Sequence, residues 1–224
     1  SYRLVGSEMC IRDSTSTEDK LTPNATGPGS YFGFSASGAG DINGDGYDDV
    51  IVGAYKDGST YDGRAHVYYG SASGIDTSTA EAFSAGDNTS DAFYAYTVSG
   101  AGDVDGDGYA DVLVGAHFDS DGAQYAGAVY VYYGSASGLD VGSESKLIGD
   151  LRHLTLGSDL APAGDVNGDG YDDVVFGAAN DETIAPDAGA AFVYYGSATG
   201  LSLNDHDKLF PVDTNSGQGV GDYV

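Results

Sequence analysis

The chain has no tryptophan, one cysteine (Cys10), one methionine and only eight basic residues among 224. A single cysteine excludes an intrachain disulfide, so stability must come from packing or from a bound ion. Eight scattered Lys and Arg against 35 Asp and Glu leave a formal charge of −27. Phosphate contacts need clustered cations, so nucleic acid is excluded as a partner. The acidic excess reads as a solvated surface. No apolar run approaches the ~20 residues that cross a bilayer, so no membrane span is expected. No helical periodicity persists beyond about two turns. The first residues, SYRLVGSEMCIRDS, lack the apolar core of a secretion signal. There is no nucleophile elbow, no recurring His with Ser or Cys, and no phosphate-cradling loop ahead of a helix. No catalytic set is expected, and the chain reads as a non-enzyme.

What the chain does have is one stretch written three times. It reads GDINGDGYDDVIVGA from Gly40, GDVDGDGYADVLVGA from Gly102 and GDVNGDGYDDVVFGA from Gly164. The leading aspartates Asp41, Asp103 and Asp165 are 62 residues apart at both steps. A fixed core at that period is a structural repeat.

Each copy sets oxygen-bearing side chains at positions 1, 3, 5 and 9 of a tight loop. They are Asp41, Asn43, Asp45 and Asp49, then Asp103, Asp105, Asp107 and Asp111, then Asp165, Asn167, Asp169 and Asp173. Position 7 is Tyr47, Tyr109 or Tyr171, which can offer its backbone carbonyl. Glycines between the ligand positions let the chain turn through positive φ. Hard oxygen donors at this spacing suit Ca²⁺, in a flexible shell of six to eight ligands, better than the small octahedron of Mg²⁺. Three or four carboxylates crowded into nine residues repel one another unless a cation sits among them. One Ca²⁺ per repeat is expected, three in all. The loops are not EF-hands, because position 12 is Val52, Val114 or Phe176 where a bidentate Glu is required.

A short β-branched run ending in Gly-Ala follows each loop: Val50-Ile51-Val52, Val112-Leu113-Val114 and Val174-Val175-Phe176. Such runs read as buried strands. A segment of variable length then reads as a surface loop, Lys56–Asp62 and Asn180–Asp187 being two examples. Next come HVYYGSASG, YVYYGSASG and FVYYGSATG, from His66, Tyr130 and Phe192. Val-Tyr-Tyr is a strand and Gly-Ser-Ala a turn into a more polar fourth strand. Its tyrosines are expected to pack between sheets with each hydroxyl on a backbone partner. Ahead of each loop, Tyr31–Ser35, Tyr94–Tyr96 and Leu156-Gly157 read as a first strand. His66, His117, His153 and His206 do not recur at equivalent places and are read as incidental.

The organisation that follows is 1–14 as an atypical segment, 15–30 as the outer strand of a preceding blade and a linker, repeats at 31–92, 93–154 and 155–216, and 217–224 as the start of a further blade. Residues 1–14 stay open between a native first strand and a non-native segment, since VGSEMCIRDS resembles translated sequencing-adapter read-through. Asn24 and Asn88 open Asn-X-Thr/Ser tripeptides and are candidate glycosylation acceptors.

Four short strands per repeat, with Phe32-Gly33 before the loop and Gly53-Ala54 after it, resemble the FG-GAP repeat, the blade of the integrin α-subunit β-propeller. The likeness covers about residues 15–210. The Phe-Gly element becomes Tyr94-Ala95 and Leu156-Gly157, and the proline of Gly-Ala-Pro is absent from all three copies. The resemblance implies an all-β fold of four-stranded antiparallel propeller blades, with calcium between the first two strands of each. It implies an extracellular or cell-surface adhesion or assembly module, with a protein or glycan ligand. Propellers close with four to eight blades. Three repeats therefore belong to a larger parent chain or self-associate through incomplete end blades into a ring or filament. Two alternatives stand beside this reading: a carbohydrate-binding propeller, which needs solvent-facing aromatics at the same place in every blade, and an accessory domain of a secreted enzyme.

Overall fold

The computed structural model describes residue 21 and residues 29–58, 62–78, 80–85, 92–149, 155–182, 188–202 and 206–210. The expectations for residues 1–14, the outer strand before Gly29, the start of a further blade, both candidate glycosylation sites, Cys10 and His153 lie outside these residues.

Among the described residues, twelve strands form three four-stranded antiparallel sheets. The first holds β1 (Ser35–Gly40), β2 (Asp49–Ala54), β3 (Arg64–Tyr68) and β4 (Ala80–Phe83), in that order. The second holds β5 (Tyr94–Gly102), β6 (Asp111–Ala116), β7 (Ala128–Tyr133) and β8 (Asp140–Ile148). The third repeats the order with β9 (Asp159–Gly164), β10 (Asp173–Ala178), β11 (Ala190–Tyr194) and β12 (His206–Leu209). This sequential meander, repeated and packed face to face, is the blade architecture of a β-propeller.

The apolar runs look continuous because the middle sheet is covered on both faces. Their alternation still sorts them. Val112, Val114, Ala116, Ala128, Tyr130 and Tyr132 join Ile51, Ala65 and Val67 in the core between the first and second sheets. Leu113, Val129 and Val131 join Leu160, Val174 and Phe176 in the core between the second and third. Close approach between sheets needs the glycine of the first two Gly-Ala pairs. A Cβ on Gly53 would stand 2.3 Å from the Ala95 carbonyl oxygen, and one on Gly115 equally close to that of Gly157.

Two expectations are corrected. Tyr31–Phe34 is a turn, and β1 begins only at Ser35. Tyr31, Phe93 and Thr155 hold φ of 56°, 53° and 52°, left-handed values that break the strand at the same point of every repeat. The hydroxyls of the second tyrosines of Val-Tyr-Tyr go chiefly to side chains of the neighbouring outer strand: Tyr69 donates to Glu81, Tyr195 donates to Asp207, and Tyr133 pairs with the Ser145 hydroxyl. Tyr69 also shows the expected backbone partner, accepting from the Leu139 amide at 3.2 Å. The first tyrosines, Tyr68, Tyr132 and Tyr194, are buried as expected.

Candidate metal centre

Each Asp-rich loop joins the first two strands of its sheet and is wound around its leading aspartate. In the second repeat, Asp103 Oδ1 accepts from the Gly106 and Asp107 amides at 2.7 and 3.0 Å, and Oδ2 accepts from Gly108 at 2.9 Å. Asp165 holds Gly168, Asp169 and Gly170 in the same way, and Asp41 holds Asp45 and Gly46. The position-3 side chains Asn43, Asp105 and Asn167 each accept from the amide of position 5. Asp45, Asp107 and Asp169 in turn accept from the tyrosine amides at 3.0 Å. Winding this tight needs left-handed backbone at positions 4 and 6. Gly106 and Gly108 supply it with φ of 74° and 94°.

The ninth aspartates have a role that spacing did not reveal. Asp49, Asp111 and Asp173 are buried at the first residue of β2, β6 and β10. One oxygen of each accepts from the loop's second residue, Ile42, Val104 or Val166, at 2.8–2.9 Å. The other accepts from Gly70, Gly134 or Gly196, just after Val-Tyr-Tyr, at 2.8–2.9 Å. Each carboxylate thus staples the loop to its own strand and to the third strand's turn. Lone pairs remain on both oxygens after these bonds.

In the second repeat Asp103, Asp105 and Asp111 bring one oxygen each within 4.8 Å of the other two. Oxygens bound to one cation at about 2.3–2.6 Å stand no more than about 5 Å apart, so this set fits a single hard ion. Burial raises the Asp111 carboxyl to about 7. The Gly134 and Val104 amides oppose that rise, and the charges of Asp105 and Asp103 add to it. Asp105 is also raised, first by burial and then by Asp107. Burial likewise raises Asp49, with Asp45 and Asp41 adding to it. Loops 1 and 3 carry Asn43 and Asn167 at position 3, whose amide nitrogens donate to Asp45 and Asp169. They carry three carboxylates at the ligand positions where the second loop carries four, the fourth aspartate standing at position 8 as Asp48 or Asp172.

The loop tyrosines join one sheet to the next. A Cβ on Gly44 would lie 2.6 Å from the Tyr109 ring, and one on Gly106 equally close to the Tyr171 ring.

A second series of carboxylates went unseen in the sequence. Asp57, Asp119 and Asp181 are buried at the far end of each second strand, in the segment read as surface loop. Lys146 Nζ stands 2.9 Å from Asp119 Oδ2, and Lys208 Nζ stands 2.6 Å from Asp181 Oδ2. Both lysines come from the outer strand, opposite Tyr130 and Phe192. In the first sheet that place is Ala82, opposite His66. Asp57 there has Arg64 at 3.9 Å and His66 Nε2 at 3.8 Å. The signal was present, since Asp57, Asp119 and Asp181 keep the 62-residue spacing. Of the four histidines, His66 and His117 are buried, and His206 stacks on Tyr194 with ring centroids 4.7 Å apart.

Comparison with known proteins agrees with this architecture. Residues 32–68 and 94–132 match the FG-GAP repeat family. Integrin alpha-4 of Xenopus laevis is 36% identical over 154 residues, 67% of this chain and 14% of that protein. Integrin alpha-PS2 of Drosophila melanogaster is 31% identical over 209 residues, 87% of this chain and 14% of that protein. Integrin alpha-5 of Xenopus laevis is 30% identical over 200 residues, 84% of this chain and 19% of that protein. The chain thus spans less than a fifth of the length of these relatives. Two matched segments, each running from the left-handed turn to Val-Tyr-Tyr, and a third sheet built on the same loop place this chain among the FG-GAP repeat proteins, with integrin α-subunits as relatives.

Proposed function

We propose that the chain is a non-enzymatic, extracellular β-propeller module of adhesion type, whose blades are held in shape by Ca²⁺ in the three Asp-rich loops. The observation that carries this reading is the convergence of Asp103, Asp105 and Asp111 oxygens within 4.8 Å, in a loop wound so that its carboxylates face inward. Asp103, Asp105, Asp107, Asp111 and the Tyr109 carbonyl would hold the ion in the second blade. Asp41, Asn43, Asp45, Asp49 and Tyr47 would do so in the first, and Asp165, Asn167, Asp169, Asp173 and Tyr171 in the third. The ion would supply charge neutralisation and nothing further. The chain's own residues do the rest: the ninth aspartates tie each loop to two strands, and the tyrosine rings tie it to the neighbouring blade.

Several features support the non-enzymatic, outward-facing part. The clustered carboxylates belong to the loops, and the remaining buried ones face lysines or arginine. The charge of −27 suits a calcium-rich medium. Extracellular sites bind calcium with Kd of about 10⁻⁴–10⁻³ M and fill there but not in the cytosol. The carbohydrate-binding alternative is not favoured. The Val-Tyr-Tyr rings are packed, and the exposed Tyr31 and Phe34 have Thr155 and Ser158 at the equivalent places of the third blade.

Thermal melting in calcium, in magnesium and in chelator tests the proposal. Calcium at a hundredfold excess over Kd adds about 2.7 kcal/mol per site, or about 8 kcal/mol for three, so chelator should lower the melting temperature by well over about 10 °C. Magnesium should restore less of it than calcium. Superimposable melts in all three conditions would remove the structural ion from the account.

A further inference from the structure

Consecutive Asp-rich loops touch, and the residues that touch lie between ligand positions. Asp172 is position 8 of the third loop, between Tyr171 at position 7 and Asp173 at position 9. Its amide donates to the Asp103 carbonyl at 3.1 Å, and its Oδ2 accepts from the Asp103 amide at 2.9 Å. One residue of the third loop thus holds the main chain of the second loop's leading aspartate on both sides. The fit is close, because a Cβ on Gly102 would collide with the Asp172 carboxylate. Asp103 is in turn the centre of its own loop, accepting from Gly106, Asp107 and Gly108.

A second link starts from the ninth aspartate. Asp173 accepts from the Gly196 amide at 2.9 Å, and the next amide, of Ser197, donates to the Val104 carbonyl at 3.0 Å. The junction between the first and second loops repeats the backbone bonds, Ala110 to Asp41 at 3.0 Å and Ser135 to Ile42 at 3.1 Å. Position 8 is alanine there, and its methyl faces Gly40 where the Asp172 carboxylate faces Gly102. At this point the two junctions differ by one hydrogen bond with a charged acceptor, which is the stronger kind.

We propose that Asp172 is a positioning residue that couples calcium binding in the second and third loops, so that filling either tightens the other, while the first loop is coupled more weakly. This deepens the calcium role proposed above and rests on it. The physical cause is order. Without a cation, crowded carboxylates drive a loop open. An open third loop no longer fixes Asp172 between two ligand positions, and the second loop's leading aspartate loses the support of its amide and carbonyl. Ordering the third loop therefore leaves the second with less conformational freedom to lose, which is positive cooperativity. Linkage makes the effect reciprocal, and couplings of this kind run about 5–150-fold. A single charge-assisted bond sets the expectation near the low end, about tenfold.

A calcium titration of the full chain, followed by NMR at Gly46, Gly108 and Gly170, tests this. Each of these amides donates to its own loop's leading aspartate and reports on that loop. Asp169→Ala, which removes a ligand of the third loop, should move the Gly108 midpoint to about tenfold higher calcium and the Gly46 midpoint by less than about threefold. In the Asp172→Ala background the same substitution should move Gly108 by less than about threefold. Asp172→Asn keeps an acceptor oxygen for the Asp103 amide and should retain most of the coupling that alanine loses. Circular dichroism in saturating calcium checks that each variant is folded. If Asp169→Ala is not, the curves without it carry the test: Gly108 and Gly170 should titrate together with a Hill coefficient above one, and Asp172→Ala should return it to one. A Gly108 midpoint indifferent to the third loop, or a shift that survives Asp172→Ala, overturns the coupling and leaves the calcium role standing. Glycine amides that do not respond to calcium at all would overturn both.

Discussion

Replacing Lys146 with methionine isolates one buried charge pair. The Lys146 ammonium lies 2.9 Å from Asp119 Oδ2 and 2.6 Å from Asp121 Oδ2, over the Tyr130 ring at 5.0 Å. The Asp119 side chain is fully buried, while that of Lys146 is 18% exposed. Methionine keeps the stem packed on Tyr130 and removes only the charge. Asp119 would retain the Asp121 amide at 2.9 Å and the Tyr130 hydroxyl at 3.3 Å, but no cation. Breaking a buried pair from one side costs about 3–5 kcal/mol. The partial exposure of Lys146 and the surviving hydrogen bonds argue for the lower end, about 3 kcal/mol. In a chain of this size that lowers the melting temperature by about 6–12 °C. The assay is thermal and urea unfolding in saturating calcium, for Lys146→Met, Asp119→Asn and the double variant. The double variant should recover much of the loss, because no unpaired charge is left buried. A Lys146→Met cost under about 1 kcal/mol, the range of surface pairs, would refute the claim that Asp119 depends on this lysine.

The first blade offers the reverse experiment. Ala82→Lys places an ammonium where Lys146 and Lys208 stand in the other blades and should stabilise the chain by about 1 kcal/mol through Asp57, read by the same unfolding curves. His117 gives a pH signature. Burial among Phe93, Tyr96 and Phe118 holds its imidazole down to about 4. The unfolded chain takes up this proton below about 6.5 and the folded one only near 4, so stability is lost as pH falls through that window, by at most about 3 kcal/mol. His117→Phe should flatten that part of the pH profile of urea unfolding, and an unchanged profile would refute it. Gly106→Ala and Gly168→Ala share a left-handed backbone, with φ of 74° and 78°. Both should lose about 1–2 kcal/mol to that conformation, but only Gly106→Ala also pushes on a tyrosine ring. Equal melting temperatures for the two in dilute solution would contradict the ring's role in joining blades.

Much of this was legible because the chemistry recurs at one spacing. The loop needs glycine and oxygen donors at fixed places, and a period of 62 cannot hide three such copies. The strands after each loop were equally plain from Val-Ile-Val and its counterparts. What periodicity could not say is which neighbour each residue faces. Leu113 and Val114 look alike in the sequence, yet they enter different cores. Tyr31 to Phe34 reads as strand by composition. The left-handed residue at its head is fixed by packing, which lets even the β-branched Thr155 take that conformation in the third blade. Asp57, Asp119 and Asp181 escaped because acidic residues in a segment of variable length look solvated. The lysines of Asp119 and Asp181 arrive from outer strands more than twenty residues onward, a pairing only the sheet register discloses. The tyrosine at loop position 7 was read for its carbonyl, while its ring does separate work on the next loop.

Calorimetric titration of the metal-stripped chain with calcium bears most directly on the account. Three ions should bind per chain, and Asp105→Ala should leave two, since it removes one of the three carboxylates that converge in the second blade. A wild-type titration with no bound calcium, or an Asp105→Ala stoichiometry unchanged from wild type, would contradict it.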